Sequence, residues 1–399
     1  AVIIPKSSVE GRERVGIEFS ALEHISMMKA KERMIQALSG KSQDPPPVVL
    51  HSWGDYKVEL AGIHPKYQYY LGGPELAEIE RSFYKRFEPD WMHLGSGADK
   101  NWWGQPRKVD GNRAFIQSSD GARWIEIQDN YILAEENQPT KTLNRRLRLE
   151  SRAEIDDYFA ARVYSENEIL QCGRFDHVSI LSGECGSEVL IAVNDGAPGC
   201  SIPDHSFEEA MIACTEKPDL VKHYIFKSCE QFLVDVRAAK ACGADAYIFS
   251  EGFGGSLDQL SPEMHERLEM DAKKWFYSEV RKIGILPIGY WLGDVRRNMG
   301  LINQLDMAAL MIEESKKGFV LDPLEIRLAL KPDICLIGNV DSAMLLHGTC
   351  EQIRSEVFRQ LCAAGYGAFV LANGSPLIIG TPVANVEAFV AAGRAGTQG

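Results

Sequence analysis

No apolar run in this sequence reaches the roughly 18 residues that a bilayer-spanning helix needs. The opening stretch, residues 1–11, lacks the basic-then-apolar plan of a secretory signal. These absences predict a cytoplasmic protein with no membrane partner. There is no Cys-x-x-Cys pair either. The nine cysteines, at 172, 185, 200, 214, 229, 242, 335, 350 and 362, are odd in number and scattered singly, which suits reduced thiols better than a disulfide framework or a zinc ribbon. Missing too is any extended basic stripe: the densest cluster is Arg145, Arg146 and Arg148, and the formal net charge is −13. Nucleic acid is therefore not expected as a partner. Internal repeats, low-complexity tracts and long linkers are absent.

What is present is the composition of a folded chain, 45% hydrophobic and 25% charged. Apolar residues follow helical spacing over 19–38, up to Gly40, and the Pro45-Pro46-Pro47 run forces an extended entry into Val48-Val49-Leu50. From there, short apolar runs of the kind that form buried parallel strands recur near 48–50, 91–94, 177–181, 246–249, 286–288, 308–312, 334–337 and 368–371. Runs of this number, separated by helical stretches, predict an α/β protein built as a (β/α)8 TIM barrel, with a doubly wound open sheet as the alternative. Residues 101–150 break the rhythm. There, 114–117 and 124–128 flank Ser118-Ser119-Asp120-Gly121, a hairpin signal. The expectation is one barrel domain over 1–399, with an N-terminal helical extension at 1–46 and a β insertion at about 101–150.

Barrel enzymes carry their chemistry at the C-terminal ends of the strands. On the strand placement above, the catalytic candidates are His93, Glu184, Tyr290 and Glu313. The binding candidates are His51, Trp53, Asp55, Cys185, Glu251, Phe253, Trp291, Asn339, Asn373 and Ser375. This predicted mouth is acidic and aromatic and holds no Lys or Arg, a lining that suits a ligand with N–H donors or positive charge. Alternation along a strand predicts that only one of Glu313 and Glu314 faces the lumen. Asp341 has two readings, helix N-cap or ligand contact. Gly252, Gly254 and Gly255 around Phe253 match neither Walker nor Rossmann spacing, and read as a turn that lets backbone approach a ligand.

Five phrases then recur in order: Ala241-Cys242-Gly243-Ala244-Asp245, Leu260-Ser261-Pro262-Glu263, Gly338-Asn339-Val340-Asp341, Leu346-His347-Gly348-Thr349 with Glu351, and Thr381-Pro382. With the helix at 28–38, they resemble the uroporphyrinogen decarboxylase superfamily over most of the chain outside 101–150. The resemblance implies a (β/α)8 barrel and a homodimer. The family's true decarboxylases carry Arg-Gln-Ala-Gly-Arg-Tyr after the first strand to hold substrate carboxylates. Here the place reads His51-Ser52-Trp53-Gly54-Asp55-Tyr56, without an arginine, which argues against a polyanionic porphyrinogen. The methyltransferase branch holds zinc with His-x-Cys and a later Cys. Here the corresponding phrases are Tyr290-Trp291-Leu292-Gly293 and Asn373-Gly374-Ser375, so that cage is not expected, although His51, Glu184 and Cys185 offer an alternative donor set.

The expectation is an enzyme of one-carbon metabolism, a methyltransferase or demethylase. It would move a methyl group from a small methylated donor (ether, amine, sulfur compound or halide) to tetrahydrofolate or a corrinoid protein, with Glu251, Asn339 or Asn373 facing the pterin. The alternatives are a lyase that decarboxylates a small acid, with Arg107 or Arg123 brought to the mouth, and a non-catalytic pterin- or corrinoid-binding barrel.

Overall fold

The computed structural model describes residues 28–118, 120–129, 133, 147–162, 164–203, 205–252, 257–316 and 318–396. Strand β1 (Trp91–Leu94) opens the main sheet. It is followed by a separate three-stranded antiparallel sheet of β2 (Arg107–Asp110), β3 (Arg113–Gln117) and β4 (Trp124–Ile127). The main sheet resumes with β5 (Leu190–Gly196), β6 (Ala246–Glu251), β7 (Leu286–Trp291), β8 (Ala309–Ile312), β9 (Cys335–Val340) and β10 (Phe369–Asn373). Its seven strands are parallel and lie in chain order, β1-β5-β6-β7-β8-β9-β10, with helices between successive strands. This is the TIM-barrel-like α/β architecture that the spacing of apolar runs predicts.

The expected strand at 48–50 stands where the eighth would, as an extended segment with a single parallel bridge. Val48 pairs with Leu371. The Val49 N–H donates to the Leu371 carbonyl and the Leu371 N–H to the Pro47 carbonyl, both at 2.9 Å. On its other side the Asp90 N–H donates to the Val48 carbonyl at 2.8 Å, and the Val48 N–H to Asp90 Oδ2 at 2.7 Å. The segment thus joins β10 to the start of β1.

Alternation divides each strand between two cores. Val49, Trp91, Ala192, Ala246, Ile248, Ile288, Met311, Ile337 and Val370 fill the lumen in one apolar cluster. Met34, Ala37 and Leu38 of the helix Ala30–Leu38 join it. That helix caps the N-terminal end of the barrel, where Lys31 pairs at 2.7 Å with Asp245, just ahead of β6. The other side chains, such as Tyr247, Phe249, Leu310 and Leu336, pack under the outer helices.

One predicted strand is wrong. Residues 177–181 lie in the helix Asp176–Cys185, and the strand between β1 and β6 is β5. The buried side chains of that helix, His177, Val178 and Leu181, fall at helical spacing. The β insertion is present, with β3 and β4 antiparallel and the Ser118 N–H bonded to the Arg123 carbonyl beyond their last paired residues. Its inner face, Ala114, Ile116, Ile125 and Ile127, packs on Tyr67 and Tyr70. Tyr67 also donates its hydroxyl to the carbonyls of Lys108 and Phe115, at 2.8 and 2.9 Å. The insertion therefore braces the 3-10 turn Pro65–Tyr70, which walls the site described next. Among the described residues no helix is long and apolar enough to cross a membrane.

Candidate functional site at the strand ends

A cavity of about 570 Å3 opens at the C-terminal end of the barrel, within the size range of small-molecule sites. Its lining draws on the segment after 48–50 (Ser52, Trp53), the 3-10 turn (Gln68, Tyr69), the helix Gly73–Phe87 (Leu76, Glu80) and the ends of β1, β5, β6 and β7 (His93, Asn194, Ser250, Tyr290). Glu313, Lys316 and Ser375 complete it from the loops after β8 and β10.

At and just behind its floor four rings cluster. His51 lies 5.1 Å from His93 and 4.8 Å from Tyr290, centroid to centroid, and 6.3 Å from Trp53. Burial drives the His51 pKa down to about 3 against a hydrogen bond with the Gly374 backbone, and the nearby Lys57 and Lys316 charges add to the fall. His93 is lowered well below its ordinary value, first by burial and then by His51 and Lys57. Both imidazoles are therefore neutral at neutral pH. His93 Nδ1 accepts from the Ser52 N–H at 3.3 Å. That places the ring proton on Nε2, which is buried and has no partner. Tyr290 is held neutral by burial and by the Glu313 charge, with a hydrogen bond to the Ser375 side chain opposing the shift.

The mouth contains a cation that the sequence reading did not place there. Lys316 Nζ lies 2.9 Å from Glu313 Oε1 and 3.1 Å from Glu314 Oε1, and it donates to Ser375 Oγ at 2.6 Å. Burial works against the charge on Lys316, but hydrogen bonding and attraction from the two glutamates outweigh it and raise the pKa. Glu313 also accepts from the Gly293 N–H at 2.7 Å. Alternation holds in that Glu313, and not Glu314, lines the cavity, although both are buried.

A second buried pair stands in the wall, and it too escaped the sequence reading. Glu80, raised by burial against the pull of Lys57, meets Lys57 Nζ at 2.7 Å, with 5% and 2% of the two side chains exposed. The same ammonium donates to the His93 carbonyl. A signal for Glu80 existed. Leu76, Glu80, Phe83 and Phe87 share one face of the helix Gly73–Phe87 and all are buried, so the carboxylate interrupts an apolar stripe.

Several predicted site residues are placed elsewhere. Glu184 and Cys185 lie on the outer helix Asp176–Cys185. Glu184 is bound in bidentate fashion by Arg81 at 2.8 Å, and the Cys185 thiol meets the Leu181 carbonyl and Met92 Sδ. The donor set His51, Glu184 and Cys185 does not converge, and among the described residues no group of three or more His, Cys, Asp or Glu is arranged to hold a metal.

Glu251 and Trp291 point away from the lumen, since Ile248 and Ser250, and Ile288 and Tyr290, take the inward positions of their strands. Glu251 is bound by Lys273 and, at 2.8 Å, by the Tyr277 hydroxyl. Lys273 in turn sits over the Trp291 ring. Asn339 donates to the carbonyls of Glu313 and Leu321, and Asn373 clamps the His51 backbone through its carbonyl at 2.8 Å and its N–H at 2.9 Å. Both asparagines act as braces and neither lines the cavity.

Asp55, raised by burial, accepts from the Tyr56 N–H in the first turn of the helix Gly54–Leu60. Asp341 is the N-cap of Ser342–His347, accepting from the Ala343 N–H at 2.8 Å. Arg107 pairs with Glu75 on the insertion side, and neither it nor Arg123 lines the cavity. Phe253 lies outside the described residues. Of the predicted set, His93, Trp53, Tyr290, Glu313 and Ser375 converge on the cavity, with His51 directly behind its floor.

Parallel strands closed around an apolar lumen, with a cavity at their C-terminal ends, define a TIM-barrel-like protein with its candidate site in the usual place. Residues 173–395 match the uroporphyrinogen decarboxylase (URO-D) family. With more than half of its residues matched, the chain belongs to that family. Two curated relatives are uroporphyrinogen decarboxylases. That of Trichodesmium erythraeum (strain IMS101) is 26% identical over 191 residues, covering 48% of this chain and 51% of the relative. That of Crocosphaera subtropica (strain ATCC 51142 / BH68) is 22% identical over 173 residues, covering 43% and 47%. The chain thus spans about half the length of each. A methyltransferase from Methanosarcina mazei shares the fold, with a TM-score of 0.67 over 92% of this chain and 98% of that one, at 20% identity.

Proposed function

We propose that the protein is a methyltransferase or demethylase of the URO-D superfamily. It moves a methyl group from a small methylated donor (an ether, amine, sulfur compound or halide) to tetrahydrofolate or a corrinoid protein. The observation that carries the reading is the charge at the strand ends. The lining cation Lys316 is engaged by Glu313 and Glu314, and the wall carboxylate Glu80 is matched by Lys57. A porphyrinogen with many carboxylates needs unengaged cations, and among the described residues the lining offers none. A small neutral or cationic methyl donor has no such requirement.

Transfer breaks the bond from the methyl carbon to the donor heteroatom and forms one to the acceptor nucleophile. The heteroatom keeps the electron pair. The Tyr290 phenol and the Lys316 ammonium are the donors that stabilise it, and enclosure in the cavity orients the two reactants. With Glu251, Asn339 and Asn373 engaged elsewhere, a pterin edge would meet Asn194 and Glu313. The zinc that activates thiols in relatives does not fit here. The corresponding phrases, Tyr290-Trp291-Leu292-Gly293 and Asn373-Gly374-Ser375, carry no His or Cys; the Gly293 N–H donates to Glu313 and Ser375 Oγ accepts from Lys316, and no step is routed through a metal.

The test is methyl loss from a panel of the four donor classes with tetrahydrofolate or a methyl-accepting corrinoid protein present. Transfer from at least one class is expected, and none across the panel overturns the reading. A second reading, decarboxylation of a small monocarboxylate, requires Lys316 to exchange Glu313 or Glu314 for the substrate carboxylate. Carbon dioxide release without methyl loss is its signature.

A further inference from the structure

Two polar groups in the cavity are left incomplete by everything packed around them. The first is His93. With Nδ1 accepting from Ser52, the ring keeps its proton on Nε2, a buried donor with no acceptor in reach. Such a group is destabilising unless something completes it. The second is Glu80. Lys57 takes its Oε2, and no hydrogen bond reaches Oε1 among the described residues, although Glu80 borders the same cavity. One ammonium sets both groups, because Lys57 Nζ holds the Glu80 carboxylate and the backbone carbonyl of His93 at once.

A buried donor and a half-engaged carboxylate, coupled through one lysine, select their ligand by chemistry. An ether or thioether has lone pairs for Nε2–H and no proton for the carboxylate. An ammonium satisfies the carboxylate and offers His93 no lone pair. A carboxylate on the ligand meets the like charge of Glu80. A hydroxyl accepts from one and donates to the other. The surrounding walls, with Trp53, Tyr69 and Tyr290 in the lining, suit a flat ring to carry it.

We propose that His93 and Glu80 form a hydroxyl-recognition subsite, so that the compound bound in this cavity is an uncharged hydroxylated aromatic whose O–H donates to Glu80 while its oxygen accepts from His93 Nε2–H. Lys57 is the positioning residue for both. The inference rests on the reading that this cavity is the substrate site. It extends that reading by naming a feature the methyl donor carries besides its methyl group.

The test is calorimetric binding of a matched pair, 2-methoxyphenol and 1,2-dimethoxybenzene, which differ by one O-methyl at the hydroxyl position. The phenol binds at least about tenfold more tightly to the native protein, the equivalent of one buried polar group left unpaired by the diether. His93→Gln, which keeps an N–H donor, preserves the preference. His93→Leu, which has none, brings the two affinities to within about twofold. Thermal melting of each variant confirms that it is folded. Lys57→Met lowers the selectivity ratio and Lys57→Arg restores it, a pattern that a purely structural role of Lys57 does not produce.

Equal affinities for the two probes, or binding of neither, overturns the subsite. The methyl-transfer reading fails separately. A hydroxyl preference with no methyl loss from either probe under the transfer assay counts against methyl transfer and leaves the subsite standing, whereas methyl loss from both at equal affinity does the reverse.

Discussion

Replacing Lys57 with methionine tests the architecture of the site most directly, because it removes one charge and little volume. The ammonium is 2.7 Å from Glu80 Oε2, with both side chains almost fully buried. At an effective dielectric of about 20 the gross attraction at that separation is roughly 6 kcal/mol. Desolvation of the two ions offsets much of it, and removing one partner of a buried pair typically costs about 3–5 kcal/mol because the other charge is stranded.

The loss depends on pH, and its sign follows from Glu80. Burial already raises the Glu80 pKa above its ordinary 4.5 in the presence of Lys57, and without the lysine it rises further. A carboxyl raised in the folded state is most stabilising when protonated, and that stability is lost as pH climbs through the folded pKa. Lys57→Met is therefore expected to be close to native in stability below about pH 4.5 and destabilised by about 3–5 kcal/mol at pH 7–8. Urea unfolding at a series of pH values reads this out. Lys57→Met/Glu80→Met, which removes both charges, recovers most of the loss at neutral pH. A single variant that loses less than about 1 kcal/mol at pH 8, or a double variant no better than the single, refutes the claim that this is a buried and mutually dependent pair.

Other outcomes follow from the same geometry. Asn373→Ala removes the clamp on both backbone groups of His51. It should lower stability by roughly 2–4 kcal/mol in denaturant titration, since buried peptide groups lose their partners. His177, fully buried, has its pKa pushed down to about 4 by burial. The stability this confers is present above pH 6.5 and lost as pH falls toward 4, on the order of 3 kcal/mol, so His177→Gln should flatten acid unfolding in that window. Glu184→Ala touches only an exposed ion pair and should leave both methyl transfer and melting temperature unchanged. Lys316→Met leaves Glu313 and Glu314 side by side without their cation, and should reduce transfer more than tenfold by order of magnitude while the chain still folds. Elemental analysis of the purified protein should find no stoichiometric zinc.

The barrel was legible because seven of its eight extended segments are short apolar runs bounded by turn residues, and the insertion because its turn is polar and its strands alternate. The failure at 177–181 has a definite origin. Val178 and Leu181 are spaced for a helix, yet over five residues a buried helix and a buried strand look alike, and only length separates them. Accepting that run hid β5, and with it Asn194 and Gly196 of the real lining. Glu184 and Cys185 were then assigned to a strand end that does not exist. Glu251 and Trp291 failed for a different reason. The strands β6 and β7 run up to these very residues, and a step of one along a strand turns a side chain from the lumen to the outer layer.

The polar groups that distinguish this cavity come mostly from outside the strands, which is why reading strand ends alone missed them. Lys57 and Glu80 sit on helices and Lys316 on a loop. Lys57 and Glu80 come from different helices, and Lys316 turns back onto Glu313 and Glu314 within one loop, so the pairing becomes visible only in three dimensions. A lysine paired with glutamates offers a hydrogen bond but little net field, and a ligand with several carboxylates entering here would have to break buried ion pairs before gaining any of its own. Such exchange is unfavourable because each displaced glutamate would be left buried and unpaired. On the proposed reading, the same barrel end would favour small uncharged ligands without an added steric barrier, through the pairing of charges it already holds.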